Sequence, residues 1–459
     1  MSMLIKNGTI VTADSHYKAD ILVQDEKIVK LGQGLEAPSD TEVIDASGKY
    51  VFPGFIDPHV HIYLPFMGTK AKDTHETGSK AAVAGGTTTF IEMLVPSKQD
   101  DLLKSYELWT GKAAGSSVAD YTFHMGVPYF KEDTEGQLSE IIKEGITSFK
   151  VFLAYKDFFG VNDTDLYKTL VFAKKKGIIT TAHCENETLI AELQARLLAA
   201  GKTGPAFHEP SRPDWVEAEG VHHFTSFLET TWAEGYIVHL SSELALQAAL
   251  RAKARGVRVS IETLIQYLVL DASYAERPQF EGAKYVMSPP LRVKSNQKAL
   301  WSALSRGLID TVATDHAPFD FSGQKDLGKE DFTKIPNGIP AIEDRVNLLY
   351  TYGVKTGKLS LNRIVELMST NPAKLFGLFP RKGALSPGSD ADVVIYDPEY
   401  RGVISSATHH MNVDYSAFEG MKIEGRPSLV TVRGKVVVRD GKVTGTPGWG
   451  QLIRREPRS

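Results

Sequence analysis

Cysteine is almost missing from this chain: a single residue, Cys184, in 459. One thiol rules out an intrachain disulfide and any thiolate-rich zinc or iron–sulfur site. An excess of one charge is missing too. The 52 lysines and arginines stand against 56 aspartates and glutamates, a formal charge of −4, so nothing draws the chain electrostatically to nucleic acid or an anionic membrane, and neither is expected as a partner. No apolar run approaches the roughly 18 residues that span a bilayer. Residues Met1 to Asp14 alternate apolar and polar side chains instead of building the apolar core of a secretion signal, so a cytoplasmic protein is expected. Histidine, by contrast, is plentiful at 13 residues, and metal chemistry has to be sought there.

Both ends of the chain read as β. Leu4 to Val11 is a strand, and Ile21-Leu22-Val23 turns through Gln24 to Lys27 into Ile28 to Leu31. Gly32 to Ala37 fits a loose dinucleotide-binding pattern, but Pro38, Ser39 and Asp40 follow where a helix should start, so the segment is a turn. Near the other end, Ala391 to Tyr396 forms a strand that Asp397-Pro398 should stop, and Leu429 to Val438 forms a hairpin turning near Gly434. These textures predict one small β-sandwich domain assembled from residues 1–52 and 379–459 around a different domain at 53–378.

That middle part alternates short apolar runs with amphipathic stretches, the pattern of β/α units on a parallel sheet. Candidate strands lie at Phe52–Ile56, Thr87–Met93, Tyr121–Val127, Ser148–Leu153, Ile178–Ala182, Tyr236–His239, Val257–Ile261 and Thr311–Ala313. Helical patterns cover Thr134–Glu144, Thr164–Lys176 and Glu243–Arg255, and the interval from His183 to Tyr236 has room for two more helices. Eight such units predict an α/β fold of the (β/α)₈ TIM-barrel type.

Active sites of such barrels lie at the C-terminal ends of the strands. Those positions hold His59 and His61, Lys150, His183, His239 and Asp315. In His59-Val60-His61 the spacing of two points both imidazoles to one face of an extended segment, which suits two ligands of one metal. His16, His208, His222, His223, His409 and His410 fall outside the pattern and are assigned to surface, packing or interface positions. Lys150 is the odd member, because an ammonium cannot ligate a metal. Its apolar neighbours, Phe149 and Val151, favour burial and a neutral amine. Such an amine can take up carbon dioxide to become a two-oxygen anion. Pairing with an acid at the barrel mouth is the other reading.

The run Pro53-Gly54-Phe55-Ile56-Asp57-Pro58-His59-Val60-His61 resembles the opening of the amidohydrolase superfamily barrel. Ser148 to Tyr155, Ala182 to Asn186, Val238 to Ser241 and Thr314 to Pro318 continue the resemblance, as do Ser288 to Arg292, Ile335 to Gly338 and Gly388 to Asp392. The whole chain is similar to the D-hydantoinase and dihydropyrimidinase group. That resemblance implies hydrolysis of the cyclic amide bond of 5-substituted hydantoins or 5,6-dihydropyrimidines to N-carbamoyl amino acids. It implies two divalent metal ions, zinc or else manganese or a similar ion, with carbon dioxide or bicarbonate to carboxylate Lys150. His59, His61 and Asp315 would hold the more buried ion and His183 and His239 the more exposed one, with N-carboxylated Lys150 and a nucleophilic hydroxide bridging them. Asp315 would carry the proton and Tyr155 would donate to the developing oxyanion. Ser288 and Asn337 would recognise the imide edge, while Leu64, Phe66, Phe152 and Phe159 would line an apolar pocket for the exocyclic substituent. A small-molecule cyclic amide or imide is thus the expected substrate, and a dimer or tetramer the expected assembly.

Three other readings compete. Dihydroorotases typically carry arginine two residues after the second motif histidine, where this chain has Tyr63. An allantoinase-like ureide hydrolase shares the remaining pattern. A non-catalytic scaffold would keep the fold without its ligands, yet all six ligand positions and Tyr155 are present. The tail from Thr446 to Ser459, with Arg454, Arg455 and Arg458, reads most simply as solvated, although tails of this family commonly help assembly.

Overall fold

A computed structural model describes residues 2–457. Eight parallel strands form the central sheet, in order Phe55–Val60, Thr87–Leu94, Asp120–Gly126, Ser148–Phe152, Ile179–His183, Glu234–Ile237, Val259–Leu264 and Thr311–Ala313. A bridge between Val60 and His316, with the His61 amide donating to the His316 carbonyl at 2.8 Å, joins the last strand's extension to the first and closes the barrel. Nearly every residue of these strands is buried, as expected where helices cover the outside and side chains fill the inside. Arg345 is buried within the structure and donates to the Ile56 and Val312 carbonyls at 2.9 Å each, fastening first and last strands together.

The helices start where short polar side chains can satisfy the first free amides. Asn162 caps Asp163–Lys176 by accepting from the Asp165 amide, and that helix ends on Gly177 at φ +66°, a left-handed conformation that glycine adopts without penalty. Ser242 caps Glu243–Ala254 in the same way. The interval between His183 and Tyr236 does contain two α-helices, Glu187–Ala199 and Asp214–Thr231. No helix among the described residues is long and apolar enough to cross a membrane.

The two ends of the chain build a second, nine-stranded sheet. Ser2–Val11 pairs antiparallel with His16–Gln24 and parallel with Tyr50–Pro53, and Tyr50–Pro53 pairs with Val393–Val403 from the far end of the chain. Lys422–Val432 and Lys435–Arg439 extend it through a tight turn in which Arg433 and Gly434 both have positive φ. Gly32 to Ala37 carries no helix. Asp397-Pro398 does not stop its strand: Val393–Val403 runs on, with a register irregularity between Asp397 and Arg401 that absorbs the proline.

Barrel and terminal sheet meet over a buried ionic cluster. Lys382 Nζ reaches Asp120 at 2.5 Å, Asp392 at 2.7 Å and Asp390 at 3.0 Å, and Arg433 adds a second cation to Asp120 at 3.1 Å. The described part of the tail, to Pro457, is solvated only in part. Leu452 bridges to Tyr121, and Arg455 is buried with Nη1 3.0 Å from Ser148 Oγ, while Arg454 stays exposed beside Glu144. Arg458 lies outside the described residues.

Candidate functional site

The barrel's strand ends bring His59, His61, Lys150, His183, His239 and Asp315 to the wall of one inner chamber of about 50 Å³. Phe152 at the end of the fourth strand lines it as well, as do Leu64, Phe66, Tyr155, Phe159, Ser288 and Asn337 from the segments beyond the strands. Every site residue expected from sequence therefore meets at one place. Phe66, Tyr155, Phe159 and Asn337 also line an outer cavity of about 900 Å³, so they stand between the chamber and the wider mouth. The aromatic side chains touch one another there, with Phe152 and Phe159 centroids 4.6 Å apart and Phe66 edge-on to Tyr155 at 5.5 Å. Phe158 faces outward at 63% exposure and lines only the outer cavity.

Asp315 Oδ1 lies 3.0 Å from His59 Nε2 and 3.1 Å from His61 Nε2, and the three side chains form a group able to enclose a cation. His59 Nε2 has no hydrogen-bond partner despite that proximity. Its other nitrogen, Nδ1, lies 2.8 Å from Glu262 Oε1, so in the neutral imidazole the proton sits on Nδ1 and the lone pair on Nε2. His183 is oriented in the mirror sense. Its Nε2 donates to Glu185 Oε2 at 2.9 Å, so Nδ1 turns its lone pair toward His239 Nε2, 2.9 Å away. Arg212 clamps the same Glu185 oxygen at 2.6 Å.

The electrostatics follow from burial and these contacts. Burial pulls the Lys150 pKa down to about 8 against the attraction of Asp315 and Glu262, and its Nζ has no hydrogen-bond partner. The alternative reading, an ion pair with an acid at the barrel mouth, is absent from the ion pairs of the described residues. Burial opposes a charged His59, yet the Asp315 and Glu262 carboxylates lift its pKa to about 9. Burial would raise Asp315, but His59 and His61 hold it well below the usual carboxylate range. For Tyr155 burial dominates and raises the pKa, keeping the phenol protonated.

Backbone strain gathers here as well. Of the twelve described non-glycine residues with positive φ, Tyr155 (+61°), His239 (+41°) and Asp315 (+49°) all belong to the site. Each such conformation costs on the order of 1 kcal/mol or more and persists where surrounding contacts over-determine it. For Tyr155 one of these contacts is its amide, which donates to Glu187 Oε2 at 2.5 Å.

Several supporting residues were not recognised from sequence. Glu262 on the seventh strand serves His59, accepts the His239 amide at 2.9 Å and receives the Tyr236 hydroxyl at 2.7 Å. His208, assigned to surface or packing, is buried 2.8 Å from the Met287 carbonyl and 3.2 Å from Ser288 Oγ. No spacing pattern marked either residue. The run Ser241-Ser242 likewise gave no hint that both hydroxyls donate to buried Glu217.

Comparison with known proteins agrees with this geometry. The model of the Amidohydrolase family matches residues 50–437. A D-hydantoinase of Geobacillus stearothermophilus is 50% identical over 456 residues, covering 99% of this chain and 97% of that protein. A dihydropyrimidinase of Rattus norvegicus is 39% identical over 462 residues, covering 99% and 89%. The solved structure of a D-hydantoinase (dihydropyrimidinase) from Thermus sp. superposes with a TM-score of 0.98 at 65% identity, covering 99% of both chains. An L-hydantoinase (dihydropyrimidinase) from Arthrobacter aurescens superposes at 0.89 with 32% identity, covering 99% of both. With strand order, donor cluster and full-length similarity in agreement, this chain belongs to the amidohydrolase family.

Proposed function

We propose that this protein hydrolyses the ring amide of 5-substituted hydantoins or 5,6-dihydropyrimidines to give N-carbamoyl amino acids. The observation that carries the reading is the convergence of His59, His61, Lys150, His183, His239 and Asp315 on a single buried chamber. Full-length similarity to proteins named D-hydantoinase and dihydropyrimidinase supports the substrate class.

The family is metal-dependent, and these residues fit divalent cations. His59 Nε2, His61 Nδ1 and Lys150 Nζ are buried without hydrogen-bond partners, and imidazole with carboxylate oxygen is a donor set suited to hydrolytic zinc. In this reading His59, His61 and Asp315 hold one ion and His183 and His239 a second, with manganese or another divalent ion as the alternative to zinc. Lys150 would serve both after its neutral Nζ adds to carbon dioxide, forming an N–C bond and releasing one proton, so a neutral amine becomes a two-oxygen anion. When bound, the ions supply Lewis-acid polarisation of the ring carbonyl and ionisation of water near neutral pH.

The protein's own groups do the rest. Asp315 takes the proton of the attacking water and returns it to the ring nitrogen as the C–N bond breaks. Tyr155 donates its phenolic proton in a hydrogen bond to the carbonyl oxygen as charge builds there. Asn337 Nδ2 lies 3.3 Å from that phenol oxygen and donates to it, which leaves the phenolic proton for substrate. Ser288 and Asn337 hold the imide edge, and Leu64, Phe66, Phe152 and Phe159 pack around the exocyclic substituent and favour bulky apolar groups.

The test is a hydrolysis panel of dihydrouracil, hydantoin, allantoin and both enantiomers of 5-phenylhydantoin, with metal measured on the same sample. Ring opening of a hydantoin or dihydropyrimidine by protein holding about two ions per chain is expected. Protein that holds far less metal after metal and bicarbonate supply, and opens no ring, would overturn the reading.

A further inference from the structure

Lys325 is fully buried, lines neither cavity, and forms no ion pair among the described residues. Its three donors go instead to three backbone carbonyls: Val286 at 2.8 Å, Pro336 at 2.8 Å and Gly338 at 2.7 Å. Taking an ammonium out of water without a carboxylate is costly, and an apolar side chain of similar length would fill the same space more cheaply. Packing alone therefore does not account for it.

The carbonyls it gathers flank the two segments that line the chamber with Ser288 and with Asn337 and Gly338. In a trans peptide the carbonyl and the following N–H point in opposite directions. Holding the Pro336 oxygen on Lys325 therefore turns the Asn337 N–H to the side away from Lys325. The same geometry acts one residue from Ser288, where His208 Nε2 holds the Met287 oxygen and so sets the direction of the Ser288 N–H. The segments are also tied to each other, since the Gly338 amide donates to the Val286 carbonyl at 3.0 Å. Gly338 itself, at φ +147°, lies so close to Ala317 that a Cβ would fall 2.5 Å from the Ala317 oxygen. The two segments thus have little freedom once Lys325 is in place, and the Tyr155 hydroxyl, in hydrogen-bond contact with the Ser288 and Asn337 side chains, joins them from the chamber side.

We infer that Lys325 is a positioning residue for substrate recognition: it fixes the register and amide directions of the 286–288 and 336–338 segments so that they can hold the imide edge of a cyclic diamide. This rests on the proposed function for the identity of the ligand, but the ordering of the two segments does not.

The experiment compares Lys325→Met with the native sequence, both full-length and metal-loaded, and adds Lys325→Gln, which keeps an N–H donor, should the first variant fold poorly. Misaligning one or two hydrogen bonds to the ring should raise KM for hydantoin or dihydrouracil about 10- to 100-fold. Turnover should change much less and metal content should not change, with Lys325→Gln intermediate in KM. Deuterium uptake should accelerate in peptides covering 286–288 and 336–338 and stay unchanged in the strand bearing His59. An unchanged KM with faster exchange spread over the whole chain would reduce Lys325 to a folding role and overturn the inference. So would unchanged exchange in the two segments. If the native protein opens no cyclic diamide, the proposed function fails, and the exchange pattern still decides whether Lys325 orders these segments.

Discussion

Replacing Glu262 probes how the ligand histidines are held. Its carboxylate is buried in the barrel, accepts from His59 Nδ1 at 2.8 Å and from the His239 amide at 2.9 Å, and receives the Tyr236 hydroxyl at 2.7 Å. In Glu262→Ala the imidazole and amide N–H groups lose their acceptor in the interior, at about 1–3 kcal/mol each, so about 2–6 kcal/mol of stability is at risk. The tautomer of His59 is then no longer fixed, and removing an outer partner of a ligating histidine typically weakens metal binding about 10- to 100-fold. Because Glu262 serves two proposed ligands, the alanine variant should fall near the upper figure. Glu262→Gln keeps an acceptor oxygen but loses the charge, and Tyr236 can still turn to Thr311 Oγ1 at 2.6 Å. It should lose about tenfold, or about 1.4 kcal/mol. The assay is titration of metal-free protein with zinc against a chromophoric chelator, followed by turnover at saturating metal. Native zinc affinity in Glu262→Ala would refute the reasoning, as would equal losses in the two variants.

Three further outcomes are expected. Tyr155→Phe should lower kcat by roughly 10²–10³-fold if the phenol donates to the developing oxyanion; steady-state kinetics showing a change in KM alone would assign Tyr155 to packing. Lys150→Ala should lose both metal and activity, with partial return on adding a short carboxylic acid, and full metal content by elemental analysis would exclude a ligand role for Lys150. Asp390→Asn should be pH-dependent in its effect on stability: burial would raise the Asp390 pKa, but Lys382, Lys27 and Arg381 hold it down to about 2 against an ordinary 3.8. A depressed folded-state pKa stabilises above the ordinary value and is lost as pH falls through about 2, so about 2 kcal/mol should separate the two proteins at pH 6 and vanish in strong acid. Denaturant titrations giving a constant difference from pH 6 to pH 2 would contradict it.

The residues that meet in the inner chamber were legible in the sequence because the relevant information is local. A parallel barrel brings all strand C-termini to one mouth, so a residue's place at the end of its own apolar run decides whether it reaches the site. That is why His59, His61, Lys150, His183, His239 and Asp315 could be singled out from thirteen histidines and many acids, although His208, set apart with five other histidines, packs against Ser288. The same local reading went wrong where the outcome depends on neighbours. A proline was expected to end the strand at Pro398, but an irregular pairing with Lys422–Val432 carries the strand past it. Three arginines made the tail look solvated, but Arg455 finds Ser148 across 307 residues of sequence.

Glu262 and Lys325 show the same limit at the site itself. Glu262 lies 203 residues from the imidazole it orients, and the carbonyls that Lys325 gathers belong to two separate loops. Residue type and spacing were enough to choose the fold and the candidate donors, since these depend on periodicity and on which atoms can bind a cation, while the chemistry was read from the resemblance of the motifs to a known family. Tautomers, amide directions and the partners that hold each ligand came only with barrel closure, because a hydrogen bond is set by distance and angle between groups that the chain order keeps far apart.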